Sequence, residues 1–223
     1  MRVYYPTWIR QKSIRNWSMG NNISAILLAA GLSSRMGQPK LLLPWGGTTV
    51  LGQVVSTFAA AGMEEIMVVT GGVREQIERL VAELAKDYPV RTVYNPAYAR
   101  GKMLSSIQAG LAALDSQPHA ALIGLGDQPQ VREETVRRMC AAFVQAKSPL
   151  VTPSFQNRRG HPWLAARSLW PKILALPTST TSRQFLNTYA GHVEYVAADE
   201  SILQDLDTPE DYARQRPYRV LRK

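Results

Sequence analysis

A single cysteine, Cys140, leaves the chain without the second thiol an intrachain disulfide needs, so a reducing, cytoplasmic compartment is the natural reading. No uninterrupted apolar run approaches the ~20 residues that span a bilayer, and no membrane partner is expected. The three histidines, His119, His161 and His192, have no metal-ligand spacing with that cysteine, which excludes a zinc site. Acidic residues are missing from the first 18 positions, where Arg2, Arg10, Lys12 and Arg15 stand alone. Arg214, Arg216, Arg219, Arg222 and Lys223 crowd the other end, so much of the net charge of +9 lies in two tails. Solvated ends account for such tails. The interleaved aromatic and basic strands of nucleic-acid modules are also lacking, so no nucleic acid is expected as a partner. The basic N-terminal segment has neither the apolar core nor the small-residue cleavage site of a targeting peptide. Met19 reads as the genuine start, residues 1–20 as a dispensable flexible extension, residues 21–215 as one domain, and residues 216–223 as a basic tail.

What the 223 residues do contain is a 45% hydrophobic fraction, enough to fill a core. The apolar pattern alternates in period. Short apolar runs over 23–28, 65–69, 90–94, 120–125 and 150–152 read as buried strands. Helical spacing over 50–61, 73–86, 104–114 and 133–145 fills the intervals. Strand, helix, strand in repeated order predicts an α/β protein: a three-layer α/β/α Rossmann-like fold with a mostly parallel, mixed central sheet. Ligands in such sheets bind beyond the carboxyl ends of the strands, where the unusual residues of this chain fall. After Pro153 the pattern loosens, which predicts acceptor-binding loops and an antiparallel edge.

The segment after the first strand runs Ala29-Ala30-Gly31-Leu32-Ser33-Ser34-Arg35-Met36-Gly37-Gln38-Pro39-Lys40. Its logic is phosphate binding. Gly31 and Gly37 let the backbone turn tightly and approach a ligand. Ser33 and Ser34 add hydroxyl donors, and Arg35 and Lys40 bring two cations to hold a triphosphate. The glycine spacing fits neither the P-loop nor the dinucleotide fingerprint. The turn Gly124-Leu125-Gly126-Asp127-Gln128-Pro129 puts a carboxylate at the end of an apolar strand, where Mg²⁺ is readily held. In Asp205-Leu206-Asp207-Thr208-Pro209-Glu210-Asp211, Thr208 reads as an N-cap, Pro209 as the first helical residue and Asp211 as the third of a capping box. That leaves Asp205 and Asp207 unexplained, and either one is placed to reach a metal.

These segments together resemble the molybdenum cofactor cytidylyltransferase branch of the MobA-like nucleotidyltransferases. The resemblance runs from about residue 23 to residue 212. It rests on the loop from Ala29 to Lys40, its continuation Leu41-Leu42-Leu43-Pro44, the Gly-Asp-Gln-Pro turn, Arg159-Gly160-His161-Pro162 and Asp205 to Pro209, all in the family's order. It implies Mg²⁺-dependent transfer of CMP from CTP to molybdopterin with release of pyrophosphate. Arg35 and Lys40 then grip the triphosphate, Asp127 binds Mg²⁺, and Asp207 is the second metal carboxylate. Ala30, where the guanylyl branch tends to have Gly, favours cytidine. Asn95 and Ser105 fall near the nucleotide, although Ser105 reads equally well as a helix N-cap. Gly71, followed by Gly72, either lines the base pocket or turns the chain. Arg159, Gly160 and His161 are candidates for the acceptor's phosphate, which arginine binds bidentately. A molybdoenzyme or its maturation chaperone is a further implied partner.

A phosphate monoester is a nucleophile near neutral pH, so the reaction needs positioning and charge neutralisation rather than a general base. The alternatives are GTP or a sugar phosphate in the same reaction, or a non-catalytic carrier of the finished cofactor. Lys40, Arg35 and Asp127 favour turnover, since a carrier has no use for them.

Overall fold

A computed structural model describes residues 22–114, 118–146, 148–177 and 179–217. The expectations for the 1–20 extension, and for the C-terminal tail beyond residue 217, lie outside the described residues.

Ten strands and seven helices alternate along these residues. In order they are β1 (Ile23–Ala29), β2 (Pro44–Trp45), β3 (Thr48–Thr49), α1 (Val50–Ala60), β4 (Ile66–Thr70), α2 (Arg74–Leu84), β5 (Val90–Tyr94) and α3 (Met103–Ala112). There follow β6 (Ala120–Leu125), α4 (Glu133–Ala146), β7 (Leu150–Phe155), β8 (Arg158–Arg159), β9 (Trp163–Ala166), α5 (Trp170–Leu174), α6 (Ser182–Thr188), β10 (Val193–Ala197) and α7 (Pro209–Gln215). The main sheet has the order β10-β7-β9-β6-β1-β4-β5, with β8 hydrogen-bonded to β7. β1 pairs in parallel with β4 and β6, and β5 in parallel with β4, so these four strands end at one edge.

The period-2 alternation of β1 sorts its side chains between two cores. Ala25, Leu27 and Ala29 face α1, α2 and α4, whose Val54, Phe58, Ile77, Val81, Val136 and Met139 are buried there. Ile26 faces the other way, toward Leu104 and Ile107 of α3, Ile173 of α5 and Phe185 of α6. The three-layer α/β/α expectation is met. Cys140 lies in the first core beside Val136.

The region after Pro153 corrects the reading. An antiparallel edge is expected there, but the antiparallel strand β9 lies inside the sheet, between β6 and β7. Trp163, Leu164 and Ala165 are buried to 1% exposure or less, so β9 has the burial of a central strand. The outer strand is β10, parallel to β7. β7 and β8 are joined through Gln156 and Asn157, both in the left-handed region at φ 48° and 61°, as a two-residue hairpin demands.

Candidate active site

The loop after β1 leaves the sheet at Ala29 and runs to Lys40, the first residue of a single 3₁₀ turn. Ser33 takes a left-handed conformation (φ 53°), and its Oγ accepts the Lys40 backbone N–H at 3.3 Å, which closes the loop. Gly37 sits at φ 65°, where glycine has no Cβ penalty. Buried Met36 anchors the loop from inside. A Cβ built on Gly31 meets no protein atom within 4 Å, so the space beside it is open.

Opposite this loop stand two carboxylates. Asp127 follows β6, where the Gly126 N–H donates to Leu28 O at 3.0 Å and ties the turn to β1. Asp207 is set by Leu206, which is wholly buried in the first core, and by the start of α7. There Thr208 is the N-cap, Pro209 follows it, and Thr208 and Asp211 form a capping box. Trp45 packs on Tyr212 with ring centroids 6.4 Å apart, which holds α7 over the end of the loop.

Lys40 joins the two sides. Its Nζ donates to Asp127 and, at 3.3 Å, to Asp207 Oδ1. Arg35 Nη1 lies 3.0 Å from Asp207 Oδ2. The Lys40 side chain is only 14% exposed and that of Asp127 18%, whereas Arg35 is 70% exposed at the rim. These four groups, with Ala29, Gly31, Ser33 and Ser34, line a cavity of about 240 Å³. Two cations and two carboxylates thus meet at one solvent-accessible pocket, a suitable arrangement for a polyphosphate and a hard divalent cation. Two carboxylate ligands, completed by phosphate oxygens and water, are the donor set Mg²⁺ commonly takes. Among the described residues, no group of three or more His, Cys, Asp or Glu is placed to hold a metal.

Asp205 points elsewhere. Its Oδ1 accepts from Gln128 Nε2 at 2.8 Å, and burial followed by the negative charge of Asp127 raises its carboxyl above the usual range against that bond. Gln128 is 3% exposed and also donates to Ile202 O at 3.4 Å, a bracing role the sequence reading did not assign. Leu28, Leu32, Met36 and Leu41 also line the cavity, unforeseen because apolar residues near a Gly-rich loop read as core.

Other candidates lie around this pocket rather than in its wall. Ala30, Gly71, Asn95 and Ser105 are not among the lining residues. Gly71 and Gly72 serve close approach. A Cβ on Gly71 would fall 2.5 Å from Ala30 O, and one on Gly72 would fall 2.3 Å from the Leu32 side chain. The loop after β4 therefore packs directly on the loop from Ala29 to Lys40. Asn95 is buried, and its Nδ2 donates to Ser105 Oγ at 2.9 Å and to Ser106 Oγ at 3.0 Å. Ser105 is not the N-cap of α3. That place is taken by Lys102, whose carbonyl accepts from Ser105 Oγ at 3.0 Å.

Arg159 ends β8, and Gly160 and His161 begin the β8–β9 connection. Arg159 Nη1 donates to Asn187 Oδ1 at 2.9 Å, and its guanidinium lies 5.5 Å from the Tyr195 ring centroid. The His161 N–H donates to Ile202 O at 3.2 Å. Its Nε2 is buried without a hydrogen-bond partner, and burial lowers the imidazole pKa to about 4.

A Rossmann-like sheet with a cationic glycine loop facing two aspartates at its carboxyl edge defines a nucleotide-processing α/β enzyme. The chain matches the MobA-like NTP transferase domain over residues 25–194 and belongs to that family, as its motifs indicate. It is a nucleotidyltransferase. It is 30% identical over 190 residues to the molybdenum cofactor cytidylyltransferase of Escherichia coli strain K12, covering 85% of this chain and 93% of the relative. It is 32% identical over 205 residues to the nicotine blue oxidoreductase of Paenarthrobacter nicotinovorans, covering 86% and 95%. The crystal structure of Rv0371c from Mycobacterium tuberculosis H37Rv superimposes with a TM-score of 0.74 at 27% identity, covering 87% of this chain and 96% of the other. A complex of Rv0371c with manganese gives 0.70 at 25%, covering 87% and 97%.

Proposed function

We propose that this nucleotidyltransferase moves CMP from CTP to molybdopterin in a Mg²⁺-dependent reaction that releases pyrophosphate. The carrying observation is Lys40, held between Asp127 and Asp207 at the mouth of a glycine- and serine-lined phosphate loop. The cytidylyltransferase relative supports both the base and the acceptor.

An acceptor phosphate oxygen forms a bond to the α-phosphorus of CTP as the bond from that phosphorus to the bridging oxygen breaks. Lys40 and Arg35 neutralise charge that moves onto the departing pyrophosphate, and the open space beside Gly31 admits the phosphates against the backbone. Asp127 and Asp207 would hold the metal, which supplies Lewis-acid neutralisation when bound. Arg159 is the group for the acceptor's phosphate and would exchange its bond to Asn187 for it, while His161, buried and neutral, would brace the segment from behind. No general base is required, and the pocket wall has no candidate triad. A carboxylate–lysine cluster suits phosphate chemistry better than hydride transfer, which separates this reading from the redox activity named for the second relative.

The deciding experiment incubates the protein with Mg²⁺, molybdopterin and each NTP in turn while pyrophosphate is followed. Release with CTP, dependent on molybdopterin, is expected. Preference for GTP would overturn the cytidylyl reading. Silence with every NTP, together with oxidation of NADH or NADPH by a dye substrate, would overturn transfer to this acceptor.

A further inference from the structure

Carboxylates are absent from two long stretches of the chain, residues 88–114 and 135–193. The helix of the first stretch, α3, and the later helices of the second, α5 and α6, lie on the same side of the sheet, whereas α4, at the start of the second stretch, packs in the opposite core. Helices α3, α5 and α6 cover one face of the sheet and carry no Asp or Glu, whereas α2 on the opposite face carries Glu75, Glu78 and Glu83. Gln108 of α3 locks the layer together by donating to Ile173 O at 3.0 Å and to Leu176 O at 2.9 Å.

Four exposed cations form a stripe along this layer. Lys102 precedes Met103, whose Sδ accepts from Ser182 Oγ at 3.6 Å, and Arg183 is the next residue of α6. At the far end of α6, Lys172 Nζ lies 5.5 Å from the Tyr189 ring centroid. Two residues before Lys172, the Trp170 ring lies 5.1 Å from the Arg167 guanidinium. Lys102 follows the carboxyl end of β5. Arg167 sits at the opposite edge, where its N–H donates to His119 O just before β6. The stripe therefore runs the length of a six-residue strand, about 20 Å at ~3.3 Å per residue. Lys102, Arg167, Lys172 and Arg183 make no ion pair with any described residue. Met103 and Leu174 lie among them at 38% and 44% exposure.

We propose that this face docks an acidic protein surface. A stripe of about 20 Å exceeds what the single phosphate of a small acceptor needs, so the complementary anion is a macromolecule. Single-stranded nucleic acid is disfavoured because it stacks on free aromatic faces, and Trp170 and Tyr189 are covered by the protein's own cations. Two isolated apolar side chains are too few for insertion into lipid, but apolar contacts within a charged rim suit a protein interface. The charges steer encounter and orient the partner, while Met103 and Leu174 supply contact. This inference stands independently of the acceptor assigned above.

The test uses the full chain and a fluorescent 20-residue peptide of Glu with interspersed Leu, measured by anisotropy at 50 mM salt. The variant Lys102→Ser/Arg167→Ser/Lys172→Ser/Arg183→Ser should bind at least tenfold more weakly than the parent. A control with the same charge change on the other face, Arg74→Ser/Arg79→Ser/Lys86→Ser/Arg138→Ser, should lose less than twofold. Carbodiimide cross-linking of the unmodified protein, read by mass spectrometry, should join the peptide to Lys102 and Lys172. This readout stands even if the variant fails to fold. Equal losses in both variants, cross-links confined to Lys12 and Lys223, or tighter binding of a 20-nucleotide single strand or of phosphatidylserine vesicles would overturn the proposal. Pyrophosphate release should be unaffected in the face variant, so its failure is separable from failure of the transfer reading.

Discussion

Lys40 occupies the space between Asp127 and Asp207 that a divalent cation bound by both would claim. If Asp127 and Asp207 hold the metal as proposed, the ammonium has to leave the carboxylates as the metal and nucleotide bind. Two measurements test that exchange. Lys40→Ala should lower kcat by ~10²–10³ with a smaller rise in KM for CTP, if the charge acts mainly in the transition state. Lys40→Met should bind Mn²⁺ in the absence of nucleotide more tightly than the parent does, read by electron paramagnetic resonance. An unchanged Mn²⁺ affinity would show that the lysine does not compete with the metal. The two neighbouring aspartates separate in the same way. Asp127→Asn and Asp207→Asn should lose most transfer activity with the fold intact, because a neutral amide is a poor Mg²⁺ ligand. Asp205→Asn should lose much less, since its carboxylate faces Gln128 rather than Lys40. Near-normal turnover of the Asp127 variant at saturating Mg²⁺ would remove it from the metal assignment.

At the scale of elements, the β8–β9 connection and the turn around Ile202 are locked against each other. A Cβ on Gly160 would lie 2.2 Å from Ile202 O, and a backbone atom cannot yield as a flexible side chain can. Gly160→Ala should therefore destabilise the fold by about 1–3 kcal/mol in urea titration. His161 adds a pH dependence. Its folded pKa of about 4 lies below the ordinary 6.5, so the unfolded chain binds the extra proton between those values. Its contribution to stability is complete above pH ~6.5 and is lost as the pH falls toward 4. The urea midpoint should fall more steeply across that window in the parent than in His161→Gln, and parallel curves would contradict the burial argument.

At the scale of the whole molecule, both cores share the sheet, and the described fold builds them from β1 onward. Deleting residues 1–18, so that Met19 begins the chain, should leave the melting temperature and activity nearly unchanged. A fall of several degrees would mean that Trp8, Ile9 or Trp17 packs on the domain. Most of the fold up to β7 was legible in the amino-acid order, because its signals are local. β5 and β6 coincide with the expected runs at 90–94 and 120–125, and Thr208, Pro209 and Asp211 form the expected capping box. The reading of the loop from Ala29 to Lys40 used the same kind of signal, as its glycines, hydroxyls and cations are neighbours in the chain, and the fold brings Gly31, Ser33, Ser34, Arg35 and Lys40 to one cavity. Local signals fail beyond Pro153. Trp163–Ala166 is four residues long, and its place inside the sheet depends on β6, some forty residues earlier. Residue types close in sequence predicted a loop suited to a triphosphate and two candidate carboxylates. Only the tertiary structure gave Asp205 and Asp207 different partners. Leu206 is buried between them and sends them apart, one toward Gln128 and the other across 167 residues of chain to Lys40. The same long-range packing gathered the carboxylate-free helices α3, α5 and α6 onto one face, because helices on opposite sides of a sheet are sorted by the strands they cover rather than by their order in the chain.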